Sequence, residues 1–326
     1  MKTKILTILS SSDTYVSGQQ LCEQLNVSRT AVWKVVNRLK DEGYQIDSVS
    51  NKGYRLLSQP DAVTNEAILS KLQTRYIGRQ VYCYDEVTST NTVAKQLADE
   101  GKEEGTLVVS DKQNQGKGRR GRGWESPSGT GVFMTVILKP QMKPIYASML
   151  TLVAALAVND AIVELTGLES KIKWPNDIVV NKKKVCGILT ELSAEVDYIN
   201  YIVVGIGINV SAKDFPEEIS DKATSLLLES GKSISRAQLI AKTMEHLERY
   251  YEQFLKTHDL SELNEMYSNA LINKDREVRI LAEENSYTGI ARGITDKGHL
   301  LVEKDNAELV EVYAGEVSVR GLYSYT

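Results

Sequence analysis

The segment SMLTLVAALAVNDAIVEL at 148–165 sets the strongest constraint on the fold. It reads as a helix with apolar residues on almost every side, and such a helix has to be buried in a core. The surrounding sequence supplies the walls. VYCYDEV (81–87), GTLVVSDKQ (105–113) and GVFMTVILKP (131–140) precede it as strands, and KIKWPNDIVVN (171–181), KVCGILTELS (184–193) and NYIVVGIGINV (200–210) follow as three more. Helices are then expected from about Arg236 to Lys256 and from Leu260 to Leu271. Strands grouped together, with helices interspersed rather than strictly alternating, predict a mixed α+β sheet. Polar residues interrupt each apolar run short of the about 18 residues of a membrane span. The opening MKTKILTILSSSDTYVSGQQ has too brief an apolar stretch for a signal peptide. The expectation is a cytoplasmic protein with no membrane partner.

The first 57 residues differ from the rest. The chain has a net charge of −4, yet residues 1–57 hold eight Lys/Arg against five Asp/Glu, so this head carries +3 and the remaining 269 residues carry −7. Within SRTAVWKVVNRLKDEG (28–43), Val32, Val35, Val36 and Leu39 recur on one helical face, with Ser28 as N-cap and Gly43 as stop. A preceding helix from about Gly18 to Leu25 is capped by Ser17 and joined by the short turn Asn26-Val27, which is helix-turn-helix spacing. YQIDSVSNKGYRLL then alternates around Asn51-Lys52-Gly53 as a two-stranded wing. The head therefore reads as a winged helix-turn-helix. Such helix pairs also serve as protein-contact modules, but the basic bias and the polar outward face favour DNA. Thr30, Trp33, Lys34 and Asn37 are the candidates for the major groove, Lys52 and Arg55 for phosphate or the minor groove, and Arg29 is a further DNA-binding candidate.

Ser58 to Asn65, SQPDAVTN, is polar and contains Pro60, which marks a linker. From about Asn273 the pattern changes to short strands, EVRILA, YTGIARGIT, HLLVEK and ELVEVYAGEVSV, with turns at Asp296-Lys297-Gly298 and Asp305-Asn306. These predict a small SH3-like β-barrel. The 326 residues thus divide into domains at 1–60, 61–272 and 273–326, and the fold class is multidomain α+β. Cys22, Cys83 and Cys186 are far apart, odd in number and without CxxC spacing, so buried free thiols are expected rather than a disulfide framework or zinc site. His246, His258 and His299 are too scattered for metal-ligand spacing, and no metal ligands are assigned.

GKGRRGRGW at 116–124 places four glycines and four cations in nine positions. Glycine permits close backbone approach and the cations neutralise an anion, so the loop suits a phosphate. It is neither a Walker A motif nor a GxGxxG dinucleotide pattern. An RGG-like disordered or RNA-binding segment is the competing reading, and a single copy bracketed by strands favours an ordered loop. KWPND at 173–177 combines a proline restraint with turn-forming residues, presenting Trp174 and Asp177 at the mouth of the sheet or forming a simple turn. NKKKVCGILTEL then brings Lys184 to a strand entrance, with Gly187 where a ligand can approach the backbone.

Taken together, these runs resemble the bacterial bifunctional biotin protein ligases that double as biotin operon repressors. The resemblance spans the whole chain: the winged head, STN at 89–91, GKGRRGRGW, KWPND, KVCGIL at 184–189, GIGIN at 205–209 and the carboxy-terminal barrel. It implies a class II synthetase-like core that joins biotin and MgATP to give biotinoyl-5′-AMP and pyrophosphate. The biotin then passes to a lysine of the carboxyl carrier protein of acetyl-CoA carboxylase or another biotin-dependent carboxylase. It further implies a homodimer that binds operator DNA of biotin genes with biotinoyl-AMP as corepressor.

By the same resemblance, Ser89, Thr90, Asn91, Gln113, Lys117, Gly118, Arg119, Lys184 and Gly187 contact biotin. Gly116, Arg119, Arg120, Arg122, Trp124, Asn176, Asp177, Asn209 and Arg320 lie on the nucleotide side, with Trp124 stacking on adenine. Lys184, Arg119 and Arg122 are the catalytic assignments, because joining a carboxylate to a phosphate sets two anions against each other and cations offset that repulsion. Where many relatives carry GRGR this chain has GKGR, so Lys117 keeps the charge and loses the planar fork of arginine. Three other readings are weighed: a ligand-sensing repressor without catalysis, a lipoate-type acyl-protein ligase, and a ligase whose head does not repress.

Overall fold

The computed structural model describes residues 1–58, 61–281, 286–313, 318–321 and 326, with the side chains of Arg120 and of 318–321 outside the described set. The chain separates into two compact units, Met1–Gln73 with Ser235–Ala241, and Thr74–Ile234 with Lys242–Thr326.

The first unit opens with α1 (Lys2–Ser10), α2 (Gly18–Leu25) and α3 (Arg29–Asp41). Ser17 caps α2 through a capping box with Gln20, and Ser28 Oγ accepts from Ala31 N at 3.2 Å to start α3. Asn26 turns the chain in the left-handed region, φ 53°. The wing is an antiparallel pair, β1 (Gln45–Val49) and β2 (Gly53–Ser58). Ile5, Leu6, Leu21, Val32, Val36 and Leu39 form the core, which is the face that the apolar spacing predicts. A short helix, α4 (Asn65–Leu69), follows the linker and is capped by Thr64.

The second unit is built on a seven-stranded mixed sheet. Its strands are β3 (Val81–Val87), β4 (Leu107–Gln113), β5 (Gly131–Leu138), β6 (Lys171–Lys173), β7 (Asp177–Val180), β8 (Lys183–Ala194) and β9 (Ile199–Asn209), in the order β3-β4-β5-β9-β8-β7-β6. β3 and β4 are parallel, as the intervening α5 (Thr90–Asp99) requires, and the remaining pairs are antiparallel. KIKWPNDIVVN is two strands rather than one. The peptide between Trp174 and Pro175 is cis, and Trp174–Asn176 reverse the chain so that β6 pairs with β7.

α6 (Met149–Thr166) is the apolar helix, with Leu152, Val153, Leu156 and Ile162 among its fully buried residues. Pro144–Thr166 is long and apolar enough by composition to cross a membrane, contrary to the expectation that no such run exists, and 72% of its apolar window is buried in this fold. α7 (Leu226–Ser230), α8 (Arg236–Thr257) and α9 (Asn264–Ala270) complete the helices, and the first residues of α8 belong to the first unit.

The tail forms an antiparallel sheet of β10 (Arg276–Leu281), β11 (Tyr287–Ile294), β12 (Leu300–Glu303), β13 (Leu309–Val312) and β14 (Ser318–Gly321), ordered β13-β12-β11-β10-β14. The predicted strand ELVEVYAGEVSV is β13 and β14, with 314–317 outside the described residues. Among the cysteines only Cys186 is buried, whereas Cys22 and Cys83 are half-buried, and none is in a disulfide.

Candidate active site

β8 and β9 form the floor of a cleft of about 580 Å³ in the second unit. Their register sets Gly187 opposite Gly207 and Leu189 opposite Gly205, so the floor is largely bare backbone. Close approach demands the glycines here. A Cβ on Gly205 would fall 2.1 Å from Asn91 Oδ1, and one on Gly207 would fall 2.6 Å from Trp124 Nε1. Burial pushes the Cys186 thiol of β8 well up, which leaves it a packing group rather than a nucleophile.

The glycine-arginine run is an ordered hairpin. Gln113 N donates to Ser126 O at 3.1 Å, Trp124 N to Gly116 O at 2.9 Å and Gly118 N to Arg122 O at 2.7 Å, with a single 3₁₀ turn at Arg119–Gly121. The hairpin carries Lys117, Gly118, Arg119, Arg122 and Trp124 to the cleft wall, while Gly116 serves it through the backbone pairing. The side chain of Arg120 lies outside the described residues.

Arg119 Nη1 donates to Asn176 Oδ1 at 2.9 Å, and Asn176 Nδ2 donates to Ile188 O at 3.0 Å, tying the hairpin to the KWPND turn and to β8. Lys184 Nζ is 2.6 Å from Asp177 Oδ1 and 5.3 Å from the centre of the Trp124 ring. Trp124 Nε1 is buried and has no hydrogen-bond partner among the described residues. Trp174 lines the cleft but is 3% exposed, with Nε1 donating to Gly298 O at 3.0 Å. Asn209 lines the cleft and donates to Thr224 O at 3.0 Å.

Ser89, Thr90, Asn91 and Gln113 converge at one end. The STN run lies at the start of α5, a helix that the sequence reading does not place, and Ser89 makes no side-chain cap. Beneath it, Glu191 holds Asn91 and Lys95. Burial alone would raise the Glu191 pKa, but the hydrogen bonds from Lys95 and Asn91 and the charges of Lys95 and Lys117 outweigh it and hold the group below the usual range.

The sequence reading also misses Phe215, Pro216, Ile219 and Lys222, which close one side of the cleft. SAKDFPEEISDKAT has no periodicity, and its one signal is position, a loop leaving a strand that ends at the site. Lys184 N donates to Lys222 O at 2.7 Å and Thr224 N to Lys184 O at 2.9 Å, stitching this loop to β8. Among the described residues no three side chains of metal-ligating type converge.

Comparison with known proteins matches residues 83–209 to the Biotin/lipoate A/B protein ligase family, residues 2–55 to an HTH domain and residues 275–320 to the Biotin protein ligase C terminal domain. Bifunctional ligase/repressor BirA of Bacillus subtilis is 38% identical over 311 residues, 95% of each chain. The chain belongs to the bifunctional biotin ligase and repressor family. The Escherichia coli member is 30% identical over 97% of this ligase-repressor and 96% of its own length. A biotin protein ligase from Aquifex aeolicus, solved in complex with biotin and ATP, superposes with a TM-score of 0.65 at 32% identity, covering 74% of this chain and 99% of that one.

In the head of this ligase-repressor, Arg29, Thr30, Trp33 and Lys34 are exposed along α3 and Asn37 is half-buried. Trp33 is 55% exposed, and Arg29 Nη2 donates to Gln19 Oε1 at 2.9 Å. On the wing, Lys52 Nζ and the Arg55 guanidinium lie 5.9 and 5.2 Å from the centre of the Tyr15 ring, a cation–π contact the sequence reading does not foresee. Arg320 sits in β14 opposite Arg279, and its side chain lies outside the described residues.

Proposed function

We propose that the cleft activates biotin as biotinoyl-5′-AMP and passes it to a lysine of a biotin carboxyl carrier protein, and that the winged head represses biotin genes in response to that adenylate. The observation that carries the reading is the convergence of the GKGRRGRGW hairpin, the KWPND turn and Lys184 on one cleft. A biotin carboxylate oxygen attacks the α-phosphorus of ATP, an O–P bond forms, and the bond to the leaving pyrophosphate breaks. In this reading Lys184 bridges carboxylate and phosphate, and Lys117, Arg119 and Arg122 offset the negative charge. In the second step the carrier amine attacks the acyl carbon, loses a proton and expels AMP. Arg119, tied to Asn176, closes the hairpin over the intermediate, and Trp124 supplies the adenine stack. Since the described residues offer no carboxylate cage, magnesium enters as the companion of the triphosphate, and no step is assigned to it.

Thr30, Trp33, Lys34 and Asn37 read the major groove of operator DNA, with Arg29, Lys52 and Arg55 on the backbone or minor groove. The reading further takes the core as class II synthetase-like and the terminal sheet as an SH3-like barrel. The domains are 1–60, 61–272 and 273–326, the protein is cytoplasmic, and the operator-bound form is a homodimer. The deciding experiment incubates purified protein with ATP, labelled biotin and a biotin carrier domain. Label should reach the carrier only with ATP, and lipoate should not substitute. Absence of ATP-dependent label would leave a ligand-sensing repressor as the surviving account.

A further inference from the structure

Tyr15, in the segment between α1 and α2, is placed against the wing by its neighbour. Val16 N donates to Tyr54 O and Tyr54 N to Val16 O, both at 2.9 Å, so this segment pairs antiparallel with β2. One step along that pairing sets Tyr15 across from Arg55. On the other side of β2, the register of the hairpin sets Asp47 of β1 across from the same arginine. Tyr15, Arg55 and Asp47 therefore form a row on one face of three strands, with the arginine in the middle.

An arginine directly opposite an aspartate on an antiparallel pair is ordinarily expected to make the ion pair. This one does not. The Asp47 carboxylate accepts a hydrogen bond from the Tyr15 hydroxyl instead. Among the described residues Arg55 makes no ion pair, and its buried Nε has no hydrogen-bond partner. What holds the arginine is the Tyr15 ring, whose centre lies 5.2 Å from the guanidinium and 5.9 Å from Nζ of the exposed Lys52.

The two kinds of contact differ in what they leave behind. A carboxylate cancels the charge of an arginine it pairs with, whereas an aromatic face attracts a cation through its quadrupole and carries no net charge. Tyr15 thus does two things with one side chain: its hydroxyl occupies the carboxylate that the register places beside Arg55, and its ring holds the wing cations with their charge intact. The hydrogen bond to Asp47 raises the Tyr15 phenol above its usual range, with burial and the Asp47 charge adding to it and outweighing the opposite pull of Arg55. The hydroxyl therefore keeps its proton at neutral pH and stays a donor to Asp47.

We propose that Tyr15 is a positioning residue for the wing, which engages Asp47 and so keeps the Arg55 charge unpaired for a DNA phosphate. The proposal rests on the reading of Lys52 and Arg55 as DNA contacts.

The test is an anisotropy titration of the full chain, with biotin and ATP present, against a labelled duplex carrying the control region of the biotin genes, repeated over a range of salt. Tyr15→Phe keeps the ring and removes the hydroxyl, which frees Asp47 to pair with Arg55. Operator affinity should fall about tenfold, and the slope of log K against log salt should shrink by about 0.9 for each head engaged. Carrier labelling by the same protein should stay within about twofold. Asp47→Asn should then raise affinity about tenfold in the Tyr15→Phe chain and less than about twofold in the otherwise unaltered one. Neither a misfolded wing nor a direct contact between the Tyr15 hydroxyl and DNA would produce that rescue. Unchanged affinity and slope in Tyr15→Phe would overturn the proposal, as would equal gains from Asp47→Asn in the two backgrounds. Arg55→Ala tests the underlying reading separately: unaltered affinity there would remove the wing contact itself, and its positioning with it.

Discussion

Lys184 meets two demands at a single atom. Its side chain is 26% exposed, with the ammonium close to the Asp177 carboxylate and over the Trp124 ring, so the charge is held in place. In the proposed reaction a carboxylate and a phosphate meet a positioned cation rather than one that must be gathered from solvent, so its effect is expected on the transition state. Lys184→Gln should lower kcat/KM for adenylation about a hundredfold or more. Its thermal midpoint should change little, which differential scanning fluorimetry would check alongside pyrophosphate release. Much of this was legible in the sequence, since a lysine before VCGIL at a strand entrance is visible in one dimension. The hydrogen bonds from Asn91 to Glu191 and from Thr135 to Asn91 were not. These residues lie on α5, β8 and β5, and no spacing rule connects residues 44 or 100 positions apart.

At the scale of elements, the head illustrates how local signals translate directly. The N-caps at Ser17 and Ser28 and the left-handed Asn26 are where capping chemistry places them, because each is satisfied by neighbours within three residues. The wing depends on one further contact. Val16 and Tyr54 exchange backbone hydrogen bonds at 2.9 Å, and this brings the Val16 carbonyl so close that a Cβ on Gly53, φ 112°, would fall 2.1 Å from it. Gly53→Ala should destabilise the wing by more than about 1 kcal/mol. Operator affinity should fall in a filter-binding or anisotropy titration, and carrier labelling should stay within about twofold, the size of an ordinary remote surface effect. KWPND shows the opposite case. Its composition marks a turn, but that it reverses a hairpin against β8 depends on pairing with a strand 6 to 10 residues further on.

At the scale of the whole molecule, the charge division between a head of +3 and a body of −7 gives the DNA contacts an electrostatic share. Lys52→Ala should weaken operator binding and reduce the slope of log K against log salt by about one. Biotinoyl-AMP should raise both dimer mass in sedimentation and operator affinity. A monomeric adenylate complex that binds operator unchanged would contradict the corepressor account. The sequence by itself determined the winged head, the buried α6, the cationic, glycine-rich character of GKGRRGRGW and the family resemblance, because caps, periodicity and charge act over a few neighbours. Only the tertiary structure decided that KIKWPNDIVVN is two strands, that the loop holding Phe215 and Ile219 walls the cleft, and that both polar atoms of the Asn91 side chain find partners in Glu191, Leu189 and Thr135. Those outcomes depend on which strands pair across the sheet, and burial there compels each polar group to find a partner wherever the fold brings one.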